Sequence, residues 1–165
     1  MKMLFLDLED TIITPAFEGW HLCELINVEK IKAFIAHHNI EVVSLFSFAI
    51  HNQREKELFI KHNRVMIENA LGIKIFEIPT MDDHIIPACC REKGIHQSTL
   101  DFGDVVAFWS KDISFILFLK DKFKTNKYEH EIFFLDDAIS DMNFSFPKQN
   151  FTAQCFNIDQ LPNQF

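Results

Sequence analysis

The sequence predicts an α/β protein: a doubly wound, mainly parallel sheet of five strands with helices on both faces, formed by residues 1–165 as a single domain. Three observations carry this. Short, almost wholly apolar runs recur along the chain, and such runs suit strands covered on both faces. Between them lie stretches with apolar residues at helical spacing and clear end signals. Only 4 Gly and 5 Pro punctuate the 165 residues, so regular structure should dominate.

The first strand is expected at Met3–Asp7, ending abruptly in acids. A loop follows from Thr11 to about Trp20. A helix starts at Asn27, a residue type suited to an N-cap, with Ile31, Phe34 and Ile35 on one face, and Asn39 closes it. Ile40–Phe46 is the second strand. Asn52 with Glu55 three residues on reads as a capping box, opening a helix that runs to about Leu71 and stops at Gly72. Ile73–Ile78 is expected as the third strand, ended by Pro79. Thr80–Gly94 reads as a loop or small insertion, Leu100–Trp109 as a short helix, and Asp112–Phe123 as a longer one capped by Ser110 or Asp112. The fourth strand is Glu131–Leu135. A short fifth is expected near Ala153–Asn157.

Composition limits the function classes. Hydrophobic residues make up 48% of the chain, which argues against disorder. No apolar run reaches the ~18–20 residues a membrane span needs, and the apolar N-terminal run is too short for a signal peptide. These features, with four cysteines in no C-x-x-C pair, predict a cytoplasmic protein with reduced thiols. A net charge of -8 argues against non-specific binding to duplex nucleic acid. The cluster Lys120, Lys122, Lys124 and Lys127 reads as a solvated helix end. Asp82, Asp83, His84, Cys89 and Cys90 could imitate a metal site but read as a loop followed by partly buried thiols.

In doubly wound sheets ligands bind beyond the carboxyl ends of the strands. Strand one ends in Asp7-Leu8-Glu9-Asp10-Thr11, and strand four in Asp136-Asp137, with Asp141 shortly after. If the two strands are neighbours, several carboxylates converge. Close unpaired acids repel, and a hard, oxygen-preferring cation such as Mg²⁺ removes the conflict.

These residues resemble the motifs of the haloacid-dehalogenase-like (HAD) superfamily. Phe5-Leu6-Asp7-Leu8-Glu9-Asp10-Thr11 is similar to its first motif, strand–Asp-x-Asp-x-Thr. The second motif, a Ser or Thr ending the next strand, is offered by Ser47, with Ser44 less well placed. Lys111, near a helix start, matches the third; Lys120 and Lys122 compete for the role. Phe133-Phe134-Leu135-Asp136-Asp137 with Asp141 is similar to the fourth. The motifs occur in the family's order and span Met3 to Asp141. Two departures stand out: Glu9 replaces the usual acid/base Asp, and Asp10 occupies a place often held by Gly.

The resemblance implies a Mg²⁺-dependent phosphohydrolase with little or no cap domain, acting on a phosphorylated small molecule or the phosphorylated end of a macromolecule. Asp7 would be the nucleophile and Glu9 the acid/base. Ser47 would bind the phosphoryl group and Lys111 would offset its charge. Asp7, the backbone carbonyl of Glu9 and Asp137 would hold the metal, with Asp136 or Asp141 completing or orienting the shell and Thr11 supporting. His51 and Arg54, after Ser47, could contact a substrate, but they read first as a capped helix surface. Phe17 and Trp20 could gate the site, or belong to the core. The alternative is a catalytically weak or inactive HAD-like domain serving as a binding module, with Glu9 marking lost chemistry. A response-regulator receiver domain fits less well, because its phosphorylated Asp sits on the third strand, and Ile73–Ile78 ends without an acid.

Overall fold

A computed structural model describes residues 1–96 and 109–163. Five strands form one sheet in the order β2-β1-β3-β5-β4, where β1 is Lys2–Leu6, β2 Val42–Leu45, β3 His130–Asp136, β4 Met142–Phe146 and β5 Phe151–Asn157. All neighbours are parallel except β4 and β5. The doubly wound, mainly parallel sheet expected from the sequence is thus present, with β1 in its interior beside β3. Side chains alternate across the pleat. Met3 and Phe5 of β1 and Ile132 and Phe134 of β3 face a core shared with α4 (Ile86–Lys93) and α5 (Lys111–Lys122). Leu4, Leu6, Phe133 and Leu135 face the opposite core, shared with α1 (Val28–His38), α2 (Gln53–Phe59) and α3 (Val65–Leu71). Burial on both faces is why these strands read as unbroken apolar runs. Phenylalanine rings fill the first core: Phe115 stacks on Phe134, and Phe5 and Phe46 meet Phe115 edge-on.

The local end signals are only partly obeyed. Asn39 and Gly72 terminate their helices in the left-handed conformation. Asn52 accepts from the Glu55 N–H, but the Glu55 carboxylate bonds Trp20 Nε1 instead of closing the box. Asn27 precedes α1 in the left-handed region and caps nothing; its Nδ2 donates to the Thr11 carbonyl. α2 and α3 run on through a π-helical turn, Ile60–Arg64, which seats the buried Asn63 against the Trp20 carbonyl.

Two expectations need correction. Ile73–Ile78 is not a strand: it meets β2 through one bridge, Val43 with Ile75, and two hydrogen bonds. The N–H of Ile75 is taken by Glu68 Oε2 at 2.7 Å and its carbonyl by Arg64 Nη2 at 2.8 Å. Side chains seven and eleven residues upstream therefore occupy backbone groups that a further strand would use. The fifth strand is instead β4, an antiparallel edge whose Met-Asn-Phe-Ser-Phe alternation is the legible signal for it. Thr80–Gly94 is not irregular: a π-helical turn, Met81–Ile85, leads into α4. The helix expected at Leu100–Trp109 falls, apart from Trp109, outside the described residues.

α4 is clamped to α5 by a bidentate pair, Arg91 to Asp121 at 2.8 and 2.9 Å. The Arg91 hydrogen bonds, opposed by partial burial, hold the Asp121 carboxyl below its ordinary 3.8. A depressed carboxylate pKa contributes stability that is present above the unfolded value and lost as pH falls through the folded one. Arg91→Ala should therefore cost about 1 kcal/mol near neutral pH, since the pair is partly exposed. Urea midpoints of wild type and variant should converge below pH 3.8; a gap that persists there would assign the effect to lost packing.

Candidate active site

The site forms where β1, β2 and β3 end. The β1–β3 ladder continues one step beyond β1, the Asp7 N–H donating to the Leu135 carbonyl at 3.0 Å, which sets Asp7 beside Asp136. The chain then turns sharply. The N–H groups of Thr11, Ile12 and Ile13 all donate to the Leu8 carbonyl, and Asp10 adopts φ 60°. Asp is among the few non-glycine residues that enter this region readily, so Asp10 accommodates the turn.

Asp7 is 3% exposed and both its oxygens are engaged. Thr11 Oγ1 donates to Oδ2 at 3.0 Å, and Lys111 Nζ to Oδ1 at 2.7 Å. The same ammonium stands 2.7 Å from Oδ2 of the fully buried Asp136, whose Oδ1 accepts the Ala138 N–H at 2.8 Å. Lys111 opens α5, and the helix start delivers it to the strand ends from 104 residues away. Lys120 and Lys122, its competitors, lie elsewhere: Lys120 sits over the Phe146 ring and Lys122 pairs with Glu77.

Electrostatically the site is strained. Burial, opposed by the Lys111 ammonium and reinforced by the Asp136 charge, raises the Asp7 carboxyl to about 7. Burial, then the Asp136 charge, also raises Asp137. Burial opposes the Lys111 charge, but the two carboxylates outweigh it and its pKa lies above the ordinary lysine value. Oxygen atoms of Asp7, Asp136 and Asp137 lie within 4.8 Å of one another, the one such cluster among the described residues. With a single ammonium for three carboxylates and only oxygen donors, this set fits a hard divalent cation.

A cleft of about 270 Å³ opens over the cluster, lined by Asp7, Glu9, Asp10, Ser47, Phe48, Ala49, His51, Lys111 and Asp137. Ser47 is buried and its Oγ accepts the Ala49 N–H at 3.1 Å. Ser44, the alternative, lies within β2 opposite Phe5. Glu9 reaches the cleft, while its Oε2 accepts the Ala16 N–H at 2.7 Å and staples the loop after β1. Asp141 is not in the carboxylate cluster; its Oδ1 accepts the Asn157 N–H at 2.9 Å. Trp20 belongs to the core, edge-on to Phe59, whereas Phe17 is 83% exposed. His51 lines the cleft; Arg54 does not. Phe48 was not singled out by the sequence, yet its ring lies 5.4 Å from Lys111 Nζ. The imitation metal site dissolves: His84 Nδ1 accepts the Thr80 N–H and Cys89 faces the Ser114 carbonyl. All four cysteines are free and buried.

A larger cleft of about 810 Å³ lies at the opposite ends of the strands, lined by Met1, Lys2, Glu129 and His130 among others. The converging carboxylates and lysine are in the smaller one. No helix among the described residues is long and apolar enough to cross a membrane. No family model matches the sequence, and comparisons with curated proteins and with solved structures give no significant match.

Proposed function

We propose that this chain is a Mg²⁺-dependent phosphohydrolase related to the HAD proteins it resembles, acting on phosphomonoesters of small molecules or on phosphorylated ends of macromolecules. The observation that carries the reading is the Lys111 ammonium held 2.7 Å from both Asp7 and Asp136, with Ser47, Glu9 and Asp137 around the same cleft. Phosphoryl transfer needs positioning and charge neutralisation more than covalent chemistry from the protein, and this set supplies both.

Asp7 is the nucleophile: a carboxylate oxygen bonds to phosphorus as the ester P–O bond breaks, leaving an aspartyl-phosphate. Thr11 and Lys111 fix the orientation of its carboxylate. Glu9 gives its proton to the departing oxygen, then takes one from the water whose oxygen attacks phosphorus. The P–O bond to Asp7 breaks, and inorganic phosphate leaves. Ser47 donates to the phosphoryl oxygens, and Lys111 balances their charge. Asp7 and Asp137 would hold Mg²⁺, with Asp136 beside them; when bound, the ion neutralises charge on the transferring group. The protein acts in the cytoplasm.

A panel of phosphomonoesters assayed with and without Mg²⁺, with Asp7→Asn as control, tests the reading. Release of phosphate that requires both Mg²⁺ and Asp7 is expected. Calorimetric titration should show Mg²⁺ uptake, and Asp137→Asn should weaken it by about 10-fold or more, on the scale of losing one charged oxygen ligand. Unchanged affinity in that variant removes Asp137 from the site. One observation favours the second reading, a non-catalytic binding domain: Glu9 already serves as a loop staple to Ala16. Mg²⁺ uptake with no turnover on any ester would select it.

A further inference from the structure

Asp137 is the least enclosed of the three clustered carboxylates, and it sits on a loop rather than in the ladder. Something must hold that loop inward, because Asp136 and Asp137 bear like charges at close range. One residue makes the connections. Asn157 ends β5 directly opposite Asp136 in the parallel register. Its Nδ2 donates to the Asp137 carbonyl at 3.1 Å and to the Ile139 carbonyl at 2.9 Å. Its backbone N–H donates to Asp141 Oδ1 at 2.9 Å. Its own Oδ1 is fixed by the Asp159 N–H at 2.9 Å. Three positions of the loop, 137, 139 and 141, are therefore tied to a single side chain and its backbone. The Ala138 N–H, bonded to Asp136 Oδ1, closes the loop from within.

We infer that Asn157, with Asp141 as its partner, is a positioning residue that pre-organises Asp137 for a divalent cation beside Asp7. The inference rests on the metal centre proposed above. An asparagine suits the task, since one amide offers two donors to two carbonyls and an acceptor to a third group. Aspartate at 157 would present only acceptors to the same carbonyls. Residues that hold ligand-bearing groups in place typically contribute 10–100-fold in metal affinity.

The test is calorimetric titration with Mg²⁺ of the whole protein, well below its unfolding temperature. Wild type is compared with Asn157→Ala, Asp141→Asn, Asp141→Ala and Asn126→Ala. Asn126 is a control brace of similar chemistry, its Nδ2 donating to the Gln149 carbonyl away from the cleft. Asn157→Ala should weaken Mg²⁺ binding 10–100-fold. Asp141→Ala should weaken it less, and Asp141→Asn, which keeps the acceptor oxygen, should restore it. Asn126→Ala should lower thermal stability while leaving Mg²⁺ affinity within about twofold. If wild type binds Mg²⁺ and Asn157→Ala binds it equally well, the positioning role is overturned while the metal centre stands. If Asn126→Ala weakens binding as much as Asn157→Ala, the effect is general destabilisation and the role falls. If wild type takes up no Mg²⁺, the metal centre and this role fall together.

Discussion

Replacing Lys111 with methionine should lower the stability of the metal-free protein by about 3–5 kcal/mol, the usual result of removing one partner from a buried charge cluster. Asp136 has no exposed surface and Asp7 is 3% exposed, so neither can turn to water when the ammonium is gone. The Phe48 ring against Lys111 adds a smaller loss. For a chain of this size the melting temperature should fall by roughly 10 °C. Two companions make the electrostatic origin testable. Lys111→Met with Asp136→Asn should recover a good part of the loss, because one of the orphaned charges is removed. Millimolar Mg²⁺ should stabilise Lys111→Met more than wild type, since the cation replaces the missing positive charge. Denaturant titrations with and without Mg²⁺ read all of this. A loss under 1 kcal/mol for the single variant would mean that Asp7 and Asp136 do not need the ammonium, and the charge arrangement argued here would be wrong.

Glu9→Gln should cost on the order of 10²–10⁴ in turnover of alkyl phosphates, the span general acid–base catalysis supplies. Loss with p-nitrophenyl phosphate should be far smaller, because that leaving group departs without a proton. The reason is position: Glu9 lies two residues beyond Asp7 and lines the cleft over it. The extra methylene relative to aspartate moves the carboxyl by ~1 Å, a misplacement that can cost 10²-fold, so wild-type turnover should be slow. Glu9→Asp carries two opposed effects. The shorter side chain draws the acid back by about one methylene toward the Asp7 turn, but it releases the bond to the Ala16 N–H. Leaving-group series on wild type, Glu9→Gln and Glu9→Asp separate them. Loss of the staple shifts all esters alike, whereas loss of the proton donor steepens the dependence on leaving-group pKa. Equal losses across the series for Glu9→Gln would remove Glu9 as the acid.

Much of the fold was legible because its causes are local. Strands buried on both faces are apolar at most positions, and a helix that ends in the left-handed region favours Asn or Gly, so β1, β2, β3, Asn39 and Gly72 could be read from neighbours alone. The acids at the ends of β1 and β3 were equally visible, and once β1 and β3 were taken as adjacent, Asp7 and Asp137 had to approach.

What only the tertiary structure decided is which of several possible partners each group meets. Ile73–Ile78 has every local mark of a strand, yet Glu68 and Arg64 reach its backbone first. Nothing in the spacing of Lys111, Lys120 and Lys122 says which will meet Asp7, because the choice depends on where α5 crosses the sheet. Glu55 looked bound to complete a capping box and instead holds Trp20. Asn157, expected at the end of the short fifth strand, does end β5 but also ties down the loop that carries Asp137. For Glu55 and Asn157 packing brought a distant partner within reach, whereas the Ile75 backbone was taken by side chains only seven and eleven residues away. A sequence records which groups can bond; the fold sets which of them arrive, and here that difference separates a row of acids from an arranged site.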